Sequence, residues 1–161
     1  MAWFIQKIIN QLLKIKRYFA NRKIARFKRR FKSCGTGFFV KFPVVIEGQE
    51  NVTVGNNVKI SPFVHMWGNG KISIGNDCLI ASHVAITSLT HDTEGKLYSD
   101  HIVIKEVIIG ANVWIGAHAV ILPGITIGDN AIIGSCAMVN KDVPANAVVA
   151  GVPAKIIRYA K

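Results

Sequence analysis

Every sixth residue through much of this 161-residue chain is Val or Ile. Val54 and Ile60 form one run, and Ile74, Ile80 and Ile86 a second. The third is the longest: Ile109, Ile115, Ile121, Ile127, Ile133 and Val139. The next residue is often glycine, as at Gly55, Gly75, Gly110, Gly116, Gly128 and Gly134. Four residues past each aliphatic stands a small or β-branched one: Val58, Val64, Cys78, Val84, Thr90, Val113, Ala119, Ile125, Ala131 and Ala137. A period of six fits neither a helix nor an ordinary strand. It predicts a three-sided coil, with one short strand and one corner per hexapeptide and about 18 residues per turn. The aliphatic side chains then stack inward, and each turn buries the face of its neighbour. Glycine is expected to supply backbone freedom at the corners.

The frame is legible from Ile46 to Val149. Short bulges are expected near Gly48–Asn51 and Trp67–Gly70. The large break is residues 87–105, TSLTHDTEGKLYSDHIVIK, which a coil cannot hold as one of its strands. It must project as a loop, and loops on a rigid scaffold commonly carry chemistry. The tail after residue 150 should leave the coil and cap its end. The expected organisation is a basic segment at 1–35, a coil at 46–149 with its projecting loop, and a capping tail at 150–161.

The formal net charge of +11 belongs to one end of the chain. Residues 1–32 hold eleven Lys/Arg and no acid, whereas the remainder holds nine of each sign. No Pro or Gly interrupts residues 3–31, so a helix is permitted throughout. On a helix, Phe4, Ile5, Ile8, Ile9, Leu12, Leu13, Ile15 and Phe19 share one side, with Lys7, Lys14 and Arg17 opposite. Lysines break the apolar run too often for a bilayer span, and no signal-peptide cleavage pattern follows. Two readings stand. The apolar face packs on protein, or the helix lies in a membrane interface with its cations at anionic headgroups. No nucleic-acid-reading fold follows the segment, so nucleic acid is not an expected partner. Three cysteines, an odd number without a CxxC spacing, argue against a disulfide framework or zinc ribbon. Cys78 occupies a small-residue position of the repeat, and a reducing, cytosolic setting fits.

The stretch VIIGANVWIGAHAVILPGITIGDNAIIG, with the later VNKDVPANAVVAGVPAKIIR, resembles the hexapeptide-repeat acyltransferases. It looks most like the galactoside/maltose O-acetyltransferase branch and its polysaccharide-acetylating relatives, over residues 46–158. The resemblance implies an all-β solenoid, a left-handed parallel β-helix. It also implies a homotrimer with active sites in the clefts between subunits, and acetyl-CoA as cosubstrate without a metal. The family's catalytic histidine falls on His91. A sugar hydroxyl is a poor nucleophile, and a neutral imidazole within reach can take its proton as it attacks the thioester. CoA-binding positions fall on Ala117, Ser135, Asn140, Lys141, Lys155 and Arg158, with Trp114 beside the pantetheine arm. Asn140 stands where Thr is usual. Lys155 replaces an Arg of some members, giving a point charge in place of a fork.

The acceptor side departs from the family. Ser61 and Asn69 stand where sugar acetyltransferases carry Asn and Asp, and Asp92 adjoins His91. The helical domain of maltose-type members is replaced by the basic segment. A different, lipid-linked saccharide is therefore the expected acceptor, met by a peripheral enzyme on the inner face of a bacterial cell membrane during surface polysaccharide synthesis. Amino-sugar N-acetylation and a non-catalytic trimeric scaffold are the alternatives. The related gamma carbonic anhydrases hold zinc with three histidines, two of them in a His-x4-His pair. Here Pro123 stands at that spacing after His118, so neither that set nor His65, His83 and His101 argues for a metal.

Overall fold

The computed structural model describes residues 1–94 and 97–160, apart from the Ala2 side chain. These form two units, Met1–Arg30 and Phe31 onward. The first unit is the helix α1, Ala2–Lys28, without an acid in its first turn and with Arg26 and Lys28 in its last. Cations there complement the partial negative charge of the helix C-terminus. Lys7 Nζ lies 5.1 Å from the centre of the Trp3 ring, and Arg22 folds over Tyr18 at 5.8 Å. Among the described residues no helix is long and apolar enough to cross a membrane.

The second unit is the coil, with three parallel sheets as its faces. Sheet A holds Ser33–Cys34, Val52–Val54, Ile72–Ile74, Val107–Ile109 and Thr126–Ile127. Sheet B holds Phe39–Val40, Lys59–Ile60, Leu79–Ile80, Trp114–Ile115, Ile132–Ile133 and Ala147–Ala150, then Lys155–Tyr159. Sheet C holds Val45–Glu47, His65–Trp67, Ala85–Thr87, Val120–Ile121 and Met138–Val139. Register explains the period of six. Ile60, Ile80, Ile115, Ile133 and Val149 align on sheet B, and Ile46, Met66, Ile86, Ile121 and Val139 on sheet C. All ten are buried. Each contributes about 1.5–3 kcal/mol from lost apolar hydration. Cys78 is buried among them, and burial pushes its thiol above the ordinary range. The protonated sulfur donates to Gly110 O at 3.1 Å, as a core residue would.

The corners correct one expectation. Gly55, Gly75, Gly110, Gly116, Gly128 and Gly134 are not at positive φ. What they supply is space: a Cβ on Gly75 would stand 2.6 Å from the Gly110 carbonyl carbon, and one on Gly116 2.6 Å from Ser135 N. The left-handed residue comes two positions later, at Asn57, Asp77, Asn112 and Asn130 on the A–B corner. Asn and Asp tolerate that conformation best among residues with a Cβ. Their side chains also bond along the coil, as in Asn57 Nδ2 to Asp77 Oδ1 and Asn112 Nδ2 to Asn130 Oδ1, both 2.9 Å. On the B–C corner the same place is held by Phe63, His83, His118 and Cys136. The rings of Phe63 and His83 stack at 4.7 Å, and those of His83 and His118 at 4.5 Å.

Three boundaries differ from the sequence reading. The coil starts at Ser33–Cys34, whose partners are Thr53 and Val54, not near Ile46. Phe31 is buried and meets Phe38 edge to face, so it belongs to the coil and the basic segment ends earlier than residue 35. Thr90, counted among the small or β-branched residues of the repeat, is exposed on the projection. The tail lies against the last turn, with Ala154 N donating to Met138 O at 2.8 Å. Lys155–Tyr159 turns back antiparallel to Ala147–Ala150 and extends sheet B, with all five residues exposed.

Candidate active site

The break in the repeat is a β-hairpin. Leu89–His91 pairs antiparallel with Ile102–Ile104, so that Leu89 faces Ile104 and His91 faces Ile102. It leaves the C–A corner after Thr87 and rejoins sheet A at Val107. Its base is pinned by Ser88, which is fully buried. Ser88 Oγ donates to Trp67 O at 2.7 Å and accepts from Gly70 N at 2.9 Å. Its backbone N–H donates to Trp67 O and its carbonyl accepts from Lys105 N. One residue thus ties the hairpin to the coil below. Nothing in the repeat singles out Ser88; only its burial does. Replacing Ser88 with alanine strands the buried Gly70 N–H, a cost of about 1–3 kcal/mol. The melting temperature is expected to fall by roughly 3–10 °C. A thermal melt within 1 °C of the native protein would show that the pin carries no weight.

His91 stands on the rising strand with its side chain exposed. Asp92 shapes the turn beyond it. Its N–H donates to His101 O at 3.0 Å, and its Oδ1 accepts from Glu94 N at 3.0 Å. Asn69 lies at the same corner in the preceding coil, exposed, and packed closely over Gly48. Asn140 and Lys141 follow the last sheet C strand and so reach this corner as well.

The other predicted residues lie elsewhere. Ala117 and Ser135 occupy the B–C corner one coil apart, linked through Cys136 N to Ala117 O at 2.9 Å. Ser61 opens the same corner two coils earlier, where its N–H donates to Ile80 O. Trp114 points outward from sheet B, half exposed, in a row with Leu79 and Ile132. Arg158 is opposite Val148 on the last strand. Lys141 and Lys155 do come together. With Asp142, whose Oδ1 accepts from Thr126 N at 2.8 Å, and with Val143, Val149, Ala154 and Ile156 they line a hollow of about 280 Å³ at the C-terminal end of the coil. Two ammonium groups against the single carboxylate of Asp142 leave the hollow net positive, which suits a phosphate carried on an extended arm. Sheet C therefore separates the corner bearing His91 from the corner bearing Ala117 and Ser135. Among the described residues no group of three or more His, Cys, Asp or Glu side chains is placed to hold a metal.

Known proteins share this fold. The family pattern "Bacterial transferase hexapeptide (six repeats)" matches residues 106–141. The galactoside O-acetyltransferase of Escherichia coli K12 is 37% identical over 137 residues, covering 81% of this chain and 65% of the relative. The chain thus spans just under two thirds of that relative's length. The "Putative lipopolysaccharide biosynthesis O-acetyl transferase WbbJ" of the same organism is 30% identical, covering 94% of this chain and 86% of its own. The hexapeptide-repeat acetyltransferase VCA0836 of Vibrio cholerae, solved with acetyl coenzyme A, superposes with a TM-score of 0.85 at 28% identity. That match covers 88% of this chain and 78% of the other. The coil of about six turns is thus the left-handed parallel β-helix of these enzymes. The chain belongs to the hexapeptide-repeat acetyltransferases, acyltransferases whose donor is acetyl-CoA.

Proposed function

We propose that this chain transfers the acetyl group of acetyl-CoA to a hydroxyl of a saccharide, with His91 as general base. The observation that carries the reading is the hairpin. It raises a solvent-open imidazole on the projection that interrupts an otherwise regular scaffold. The neutral ring accepts the hydroxyl proton as the oxygen attacks the thioester carbonyl carbon. The C–S bond breaks when the tetrahedral intermediate collapses, and the imidazolium returns its proton to the departing CoA sulfur. Lys141 and Lys155 hold phosphates of the donor, and Trp114 flanks its pantetheine arm.

The separation of His91 from Ala117 and Ser135 supports a site shared between copies. In a three-fold assembly the C–A corner of one subunit meets the B–C corner of the next, and the cleft between them gathers both sets. Relatives named for galactoside and for lipopolysaccharide biosynthesis support a saccharide acceptor. The acid-free basic helix supports an acceptor carried on a membrane lipid, with the enzyme peripheral on the inner face of a bacterial membrane.

Release of CoA thiol from acetyl-CoA, measured against sugars, amino sugars and lipid-linked oligosaccharides, tests this reading. Hydroxyl acceptors without an amine are expected to drive release, most strongly when lipid-linked. Release with amino sugars alone would make the enzyme an N-acetyltransferase. Release with none would leave the coil a scaffold.

A further inference from the structure

Sheet C carries an outward aromatic pair that the chemistry above leaves unused. His65 and Trp67 are two residues apart on one strand, so both project from the outer face. Their rings stack at 3.7 Å between centres, 19° from parallel. His65 Nε2 is covered, makes no hydrogen bond, and lies 3.5 Å from Glu47 Oε1 of the neighbouring coil. The imidazole covers one face of the indole, and Trp67 remains partly open to solvent. Register places Glu47, Trp67 and Thr87 in one row across three coils. The exposed Asn69 follows two residues later.

This row lies at the root of the hairpin. Trp67 O receives two hydrogen bonds from Ser88, one from the backbone N–H and one from Oγ. Thr87, the register partner of Trp67, is four residues from His91 through the bend at Ser88, at most about 13 Å away. That span is the reach of one or two sugar rings. An indole face attracts the C–H bonds on the less polar side of a pyranose, because its π face is negative and those hydrogens are positive. Asn69 and the half-open Glu47 carboxylate add acceptors and donors suited to hydroxyls. The carboxylate repels phosphates, so an anionic sugar nucleotide is a poor fit.

We propose that Trp67, flanked by Glu47 and Asn69, is a stacking platform for an uncharged pyranose ring of the acceptor. The inference rests on the saccharide-acetylation reading and adds a binding residue to it. Saturation-transfer NMR on the full chain, with maltose and methyl β-galactoside as probes, tests it without turnover. Ring C–H protons of at least one probe should receive saturation from the native protein. Trp67→Ala should reduce that transfer at least fivefold, and Trp67→Phe should largely retain it. In thiol release, Trp67→Ala should raise the acceptor KM by about tenfold, leave kcat within threefold, and leave the acetyl-CoA KM unchanged. The unchanged donor KM also reports that the variant is folded. Undiminished transfer in Trp67→Ala, or none from the native protein, overturns the platform. Saturation transfer that depends on Trp67 without sugar-dependent thiol release would strike the acetylation reading alone.

Discussion

Replacing His91 with alanine is expected to lower turnover by about 10²–10⁴-fold, the usual contribution of a positioned general base. The coil should be unaffected, because the His91 side chain is exposed on the hairpin and outside the stacked core. Acetyl-CoA should bind the variant nearly as well as the native protein, since the imidazole acts on the acceptor. Steady-state thiol release together with calorimetric titration of CoA measures both quantities. Full turnover in the variant would assign the base elsewhere. The proposed cleft between copies adds a sharper expectation. His91→Ala and Trp114→Ala proteins, each impaired alone, should regain part of the native rate when unfolded and refolded together. If copies share the site as proposed, mixed assemblies contain some clefts with both residues intact. Failure of the mixture to exceed its parents would place the whole site in one chain.

The second large effect concerns the first unit. Deleting residues 1–30 is expected to abolish binding to vesicles of phosphatidylglycerol while leaving the coil folded. The cut stops at Arg30 because Phe31 is buried in the coil and Lys32 N donates to Val52 O at 3.0 Å. Each basic residue near an anionic surface contributes about 1 kcal/mol. Four engaged at once give about 4 kcal/mol, or about 10³-fold in partitioning. Linking several helices in one assembly multiplies the effect. Binding should be weak on phosphatidylcholine and fall with salt. Acetylation of a soluble sugar should survive the deletion, and that of a lipid-linked one should drop. Co-sedimentation of both forms decides the matter. Equal partitioning would mean that the apolar side of α1 meets protein.

The sequence revealed the coil where each aliphatic meets a stacked equivalent, because one periodic signal reports both inward direction and register. The spacing alone stacks Ile74, Ile109 and Ile127, and the register aligns them. The first turn was hidden although Cys34, Val40 and Ile46 keep the spacing of six. Bulky Phe38 stands at a small-residue place, and Lys41 stands where later coils have Gly or a small residue. The hairpin was read as a loop because the Leu89–Ile104 pairing joins residues fifteen apart, outside any local period. The resemblance marked His91, Lys141 and Lys155 by type and position. The meeting of Lys141 and Lys155 was not legible, since it depends on the last strand turning back over the end of the coil. Ser88 and Trp67 escaped notice for a related reason. The burial of Ser88 comes from contacts between coils and the stacking of Trp67 on His65 from side-chain geometry within one strand, and a repeat frame encodes neither.

The reversed last strand has a consequence for how such a coil ends. Each turn of a parallel solenoid exposes backbone groups in the register that the next turn needs. An unmodified final turn would therefore be a template on which a second molecule could continue the stack. Lys155–Tyr159 runs the other way, and the register slips between Val148 and Val149. A newcomer meets the wrong strand polarity and two cations, Lys155 and Arg158, features that discourage edge-to-edge pairing. On this face the chain carries its own chain terminator against fibre growth.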